Sequence, residues 1–148
     1  MRIPNSIERQ VLVHVNPYLN FDGRCEEAFA FYADCFSGNV EGIFRFRGAP
    51  IAETVPPEWQ EKVMHATLTF GGQSLMGSDV PPGQYEAPRG FALSLHLADV
   101  GEAERIFARL ADGGTVTMPL QQTFWAARFG LLVDRFGIPW MVNCGEPE

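Results

Sequence analysis

Residues 19–40, LNFDGRCEEAFAFYADCFSGNV, lie over residues 95–116, LHLADVGEAERIFARLADGGTV, for 22 positions without a gap, at an offset of 76. Five positions are identical, among them Glu26/Glu102, Phe31/Phe107 and Gly38/Gly114. The shared pattern weighs more than the identities. Each copy begins as a strand, passes an Asp, runs as an amphipathic helix and stops at Gly. A chain that carries one folding unit twice is confined to folds built from two similar modules.

The helices follow from local chemistry. In the second copy Asp99 and Glu102 have capping-box spacing. Val100, Ala103, Ile106, Phe107 and Leu110 then recur at helical intervals, and Gly113-Gly114 supplies the stop. In the first copy Asp22 is the expected N-cap. Cys25, Ala28, Phe29, Tyr32, Cys35 and Phe36 form the apolar stripe, and Gly38 ends it.

Strand-like runs follow each helix: VEGIFRFR (40–47), VMHATLTF (63–70) and QSLMGS (73–78), then TVTMPL (115–120), AARFGLLVD (126–134) and PWMVN (139–143). Gly71-Gly72 and Phe136-Gly137 read as hairpin connections. Each half is therefore β-α-β-β-β, and the chain is α+β with antiparallel or mixed pairing. We expect one domain over 1–148: module one over about 11–78, a linker over about 79–90, and module two over about 91–144. GAPIAETVPPEWQE (48–61), DVPPGQYEAPRG (79–90) and MPLQQTFW (118–125) are the irregular stretches and the expected pocket rims.

At 148 residues, 46% apolar and 20% charged, the chain has the composition of a globular domain able to bury a core. A net charge of −7, with Lys nearly absent, argues against a nucleic-acid partner. No run is long enough to cross a bilayer. The segment MRIPNSIERQ lacks the apolar stretch of a signal peptide, so the expected location is cytoplasmic. Cys25, Cys35 and Cys144 have no CxxC spacing and read as free thiols. The first two belong to a helix stripe, and no base neighbours the third.

The stretch HVNPYLNF (14–21) alternates polar and apolar side chains, as a strand with one polar face does. His14, Asn16, Tyr18 and Asn20 share that face. Its partner in the repeat, FALSLHL, carries Ser94 and His96 in the same manner.

Paired βαβββ modules resemble the vicinal oxygen chelate superfamily of glyoxalases, bleomycin-resistance proteins, fosfomycin-resistance enzymes and extradiol dioxygenases. PYLNFDGRCEEAFAFY (17–32), MHATLTFGGQSLMGSD (64–79), LSLHLADVGEAERIF (93–107) and MPLQQTFWAARFGLLVDRFGIPWMVN (118–143) are similar to its PhnB-like branch, often labelled 3-demethylubiquinone-9 3-methyltransferase. The resemblance implies an open, eight-stranded, barrel-like cup with helices packed outside. It also implies a homodimer, and a small-molecule pocket inside the cup.

Metal-dependent members place His and Glu on the first and last strand of each module. Counting from the helix and from the glycine turn puts Asn16, Met76, Ala92 and Met141 at those places. Ala offers no lone pair, and thioethers suit soft ions and not Mg²⁺, Mn²⁺ or Zn²⁺. The resemblance therefore comes without its usual metal, and no cofactor is expected. His14, His65 and His96 lie on three separate strand patterns without metal-ligand spacing.

The methyltransferase label finds no support in the residues, since no G-x-G-x-x-G turn follows a strand. Ser94 and His96 project in parallel from one strand and need not touch, and the third member of a triad is missing. Phe124 and Trp125 are candidate pocket wall or lid, and Arg128 is a candidate partner for an anionic ligand group, or else a salt-bridge residue. Trp140 alternates with Met141 and so belongs to the core if Met141 faces the cup.

The expected ligand-binding set is His14, Asn16, Tyr18, Met76, Ser94, His96, Phe124, Trp125, Arg128 and Met141. The first reading is a metal-free protein that binds a small, partly aromatic or amphiphilic molecule. The second is a lyase, isomerase or dioxygenase of the same fold that uses a non-standard His site. The residues alone leave open whether the chain is an enzyme, and no catalytic residue is assigned.

Overall fold

The structure, a computed structural model, describes residues 13–147. In module one, β1 (Tyr18–Phe21) leads into α1 (Cys25–Phe36), β2 (Asn39–Arg45), β3 (Val63–Phe70) and β4 (Gln73–Asp79). In module two, β5 (Leu93–Leu97) leads into α2 (Val100–Ala111), β6 (Thr115–Gln121), β7 (Arg128–Val133) and β8 (Pro139–Cys144). The sheets have the orders β1-β4-β3-β2 and β5-β8-β7-β6, each with one parallel edge pair and two antiparallel pairs. The fold is thus α+β, two βαβββ modules of one topology. The barrel is not closed, because the two sheets share no ladder.

Alternation along each strand divides the two faces. Leu19, Phe21, Ala66, Leu68 and Leu75 are buried on the helix side of the first sheet, and Leu132, Trp140, Val142 and Cys144 on that of the second. With Phe29, Tyr32, Phe107 and Leu110 from the helices they make one core spanning both modules. Full burial of one such side chain is worth about 1.5–3 kcal/mol. A smaller cluster of Phe46, Val55 and Trp59 sits under the 48–61 stretch. That stretch is less irregular than expected, since it forms two short 3₁₀ turns, Pro50–Thr54 and Pro57–Trp59.

The repeated glycine has a packing cause. A Cβ on Gly38 would stand 3.1 Å from Phe70 Cβ and overlap the Thr69 carbonyl; one on Gly114 would stand 2.9 Å from Asp134 Cα and overlap the Val133 carbonyl. In both modules the chain leaving the helix must touch strand backbone. Only glycine allows that approach.

Two local expectations need correction. The strand foreseen from His14 begins only at Tyr18. Pro17 has no N–H to pair, and its carbonyl accepts the first bond from Met76 N at 3.0 Å. Asp22 does not cap α1, which starts after Arg24. The buried Asp79 at the end of β4 does this instead, accepting from Gly23 N at 3.0 Å, Cys25 N at 2.9 Å and Val63 N at 2.9 Å. Asp99 caps α2 as its spacing predicts, accepting from Glu102 N at 2.8 Å.

Candidate functional site

The face of each sheet that turns from its helix carries the candidate site. In module one Tyr18 lies across from Met76, and Met76 across from Thr67. In module two Ser94 lies across from Met141, and Met141 across from Leu131 and then Met118. Tyr18 and Ser94 are 76 positions apart, the offset of the repeat, so the register is a repeat as well. The next rung sets Asn20 beside Ser78, and His96 beside Asn143 and Phe129. Phe44 stands across from His65. These rungs hold hydroxyl, amide, imidazole, thioether and aromatic groups. They contain no Lys, Arg, Asp or Glu; Glu41, in the bulge of β2, approaches them by accepting from Thr69 Oγ1 at 3.0 Å.

The register does not set all four metal-ligand places that the resemblance implies on strands. Asn16 and Ala92 precede β1 and β5, and Tyr18 and Ser94 are the residues that flank Met76 and Met141. Phenol, hydroxyl and two thioethers fit a divalent metal no better than amide and methyl do. Among the described residues no three His, Cys, Asp or Glu side chains converge. This donor chemistry is the ground for the metal-free reading proposed below.

Both His side chains of the polar faces are engaged. His65 Nδ1 is 3.1 Å from Tyr18 Oη, and His65 Nε2 is 3.3 Å from Thr67 Oγ1. Ser94 Oγ and His96 Nε2 do meet, at 3.0 Å, against the expectation that they need not. The twist of a strand lets neighbours on one face lean together, which strict alternation does not foresee.

The ten expected binding residues do not gather in one cavity of the chain. Tyr18 lines a cavity of about 750 Å³ with Asn20 and the inter-module segment. His14, Asn16 and Ser94 line a second, of about 290 Å³, with the β3–β4 turn. Met76, His96 and Met141 lie on the strand faces just described. Trp125 packs edge-on to Phe129, at 5.2 Å between ring centroids, and so extends the second face. Phe124 is 89% exposed and packs on Trp125 at 4.7 Å.

Arg128 is a correction. It lies across from buried Cys144, on the helix side of β7, and pairs with Glu104 of α2 at 3.3 Å. It cannot reach a ligand on the opposite face. Asp134 is buried and bound to Tyr32.

His65, Thr67, Phe44, Phe129 and Asn143 complete the faces, yet none belongs to the expected set. The alternation His65-Ala66-Thr67-Leu68-Thr69 carried the signal for two of them. All three thiols are buried. Burial pushes the Cys35 thiol up to about 11 and raises Cys25 and Cys144 as well, so none is poised as a nucleophile.

A family model described as 3-demethylubiquinone-9 3-methyltransferase matches residues 13–143. The chain is 35% identical over 137 residues to protein YjdN of Escherichia coli K12, covering 87% of this chain and 93% of that one. Among solved structures it resembles protein PA1353 from Pseudomonas aeruginosa, with TM-score 0.82 and 45% identity over 90% of this chain and 98% of that one. It also resembles the PhnB protein from Bacillus cereus, with TM-score 0.75 and 26% identity over 88% of this chain and 98% of that one.

Proposed function

Since the chain belongs to the 3-demethylubiquinone-9 3-methyltransferase family, the PhnB-like branch of the vicinal oxygen chelate superfamily, we propose that it binds a small organic molecule without a divalent metal. The observation that carries this reading is the repeated register of Tyr18 beside Met76 and Ser94 beside Met141. Faces built from hydroxyl, amide and imidazole groups over thioether and aromatic surface suit a ligand with an apolar body and a few hydrogen-bonding groups. The absence of ionic groups from the rungs of these polar faces disfavours ligands dominated by charge. Phe124 and Trp125 supply a hydrophobic rim.

The family description does not extend to an activity for this chain. A methyl transfer from S-adenosylmethionine needs a site for the nucleoside, and no Gly-rich strand-to-helix turn supplies one. A second reading, metal-free acid–base catalysis, draws on the 3.0 Å contact of Ser94 with His96. We further propose a homodimer, because the polar faces stand open in the single chain, and a cytoplasmic location. No described helix is long and apolar enough to cross a membrane.

Native mass spectrometry of protein purified under gentle conditions tests the binding reading. A small organic adduct, released by acid and identified in the extract, supports it. Ligand-free protein that takes up nothing from a cell extract opposes it.

A further inference from the structure

Ser94 Oγ and His96 Nε2 stand 3.0 Å apart, both on the solvent-exposed side of β5. The fold does not require the pair. At the offset of the repeat, module one carries Tyr18 and Asn20 at the same places. The Tyr18 hydroxyl turns to His65, two strands away. Stability does not require the pair either, because two exposed side chains exchange bonds to water for the bond to each other and gain little. A hydroxyl in contact with an imidazole, open to solvent and unneeded by the fold, has the form of a nucleophile beside its base.

The rungs around the pair select the substrate. Ser94 shares its rung with Met141, Leu131 and Met118, and His96 shares its rung with Asn143, Phe129 and Gln121. No ion stands on either rung, so nothing there holds a charged substrate. Phe129 lies two strands from His96, roughly 10 Å at the usual strand spacing. Trp125 prolongs it into an aromatic wall. An aryl ring fits the interval between imidazole and wall. Neither rung offers a carboxylate to orient His96. A base without that support serves a substrate with a good leaving group, and a phenolate leaves more readily than an alkoxide.

The geometry points to an acyl-transfer site on the open face of module two, where Ser94 as nucleophile and His96 as general base hydrolyse a small, uncharged aryl ester. This deepens the acid–base reading above and rests on it. With its ring hydrogen on Nδ1, His96 accepts the Ser94 hydroxyl hydrogen at Nε2 as Oγ bonds to the ester carbonyl carbon. The bond from that carbon to the aryl oxygen then breaks, and the imidazolium returns its proton to the departing phenolate. Water attacks the acyl-serine next and gives a proton to His96. Ser94 Oγ leaves with that proton, so ester and water become carboxylic acid and phenol.

Hydrolysis of p-nitrophenyl acetate by the full chain tests the inference. Release of p-nitrophenolate gives the rate, and peptide mass spectrometry after an acid quench in the first turnover locates the acetyl group. The acetyl group is expected on Ser94. His96→Gln slows its appearance about 100-fold or more, and Ser94→Ala abolishes it. The position of the acetyl group in the unaltered chain decides the matter whether or not the variants fold. No release above that of buffer, acetylation only at other residues, or equal labelling of Ser94 in His96→Gln would each overturn the inference. Release that survives Ser94→Ala and falls in His96→Gln would remove the acyl-serine and leave the acid–base reading intact.

Discussion

Tyr32, in the helix of module one, donates its phenolic hydrogen to Asp134 of module two at 2.5 Å, in the middle of the shared core. Asp134 also accepts from Trp140 Nε1 at 2.8 Å, Phe136 N at 2.8 Å and Ile138 N at 3.1 Å. Among the described residues no cation pairs with Asp134, and the buried carboxyl is tolerated because four donors replace its water. One acceptor thus shapes the β7–β8 turn and locks it to α1.

Removing that acceptor leaves four buried donors unmet. Asp134→Ala is expected to cost about 3–5 kcal/mol, and Tyr32→Phe about 1–2 kcal/mol, because the latter leaves three donors in place. Urea unfolding measures both. Equal, small losses would mean that the modules are held by apolar contact alone.

Gly114→Ala and Gly38→Ala are each expected to destabilise by about 2 kcal/mol or more, since the new methyl group meets strand backbone and not a movable side chain. The Gly72→Ala control puts its methyl into open space and pays only for its positive φ of 76°. Thermal unfolding of the three variants compares them directly.

The thiols give a pH dependence whose sign is fixed. Cys35 is held neutral by burial up to about 11, against 9.0 for an unburied thiol. The folded state therefore binds more protons than the unfolded one between these values, and stability falls as pH rises through them. The stabilising contribution is whole below about pH 8, and its loss amounts to about 1–3 kcal/mol by pH 11. Urea midpoints from pH 7 to 11 follow it. The same burial predicts that a thiol reagent at pH 8 labels the native chain only as fast as it unfolds.

Phe124→Ser changes the urea midpoint by less than about 0.5 kcal/mol equivalent, because the ring is already in solvent. If it belongs to the ligand rim, the same substitution reduces retention of the bound molecule in native mass spectrometry. A large loss of stability would instead make Phe124 a structural residue.

Helix and strand order were legible from the repeated Gly38 and Gly114 stops, the Asp99 cap of the second copy, and the alternation in β3 and β8. The limits of the reading are physical too. Asp79 caps α1 from a distant strand, which spacing within the helix cannot announce. Pro17 delays β1 by refusing a hydrogen bond, which leaves Asn16, the expected first-strand place, outside the strand. Arg128 sits at a strand start, where alternation is weakest, so spacing alone does not choose between an anionic ligand group and the salt bridge to Glu104 that the structure shows. His65 was in view as a strand residue, but its link to Tyr18 spans 47 positions and belongs to the tertiary fold.

The central claim is that the corners where this superfamily holds a divalent ion are thioether and hydroxyl in this chain. Calorimetric titration of the chelator-treated protein with Mn²⁺, Zn²⁺ and Ni²⁺ tests it most directly. The account predicts no stoichiometric site with affinity better than about 0.1 mM for any of them, as expected for a donor set of soft or weak ligands. One ion bound per chain at micromolar affinity, and lost in a His14→Ala, His96→Ala double variant, would contradict it.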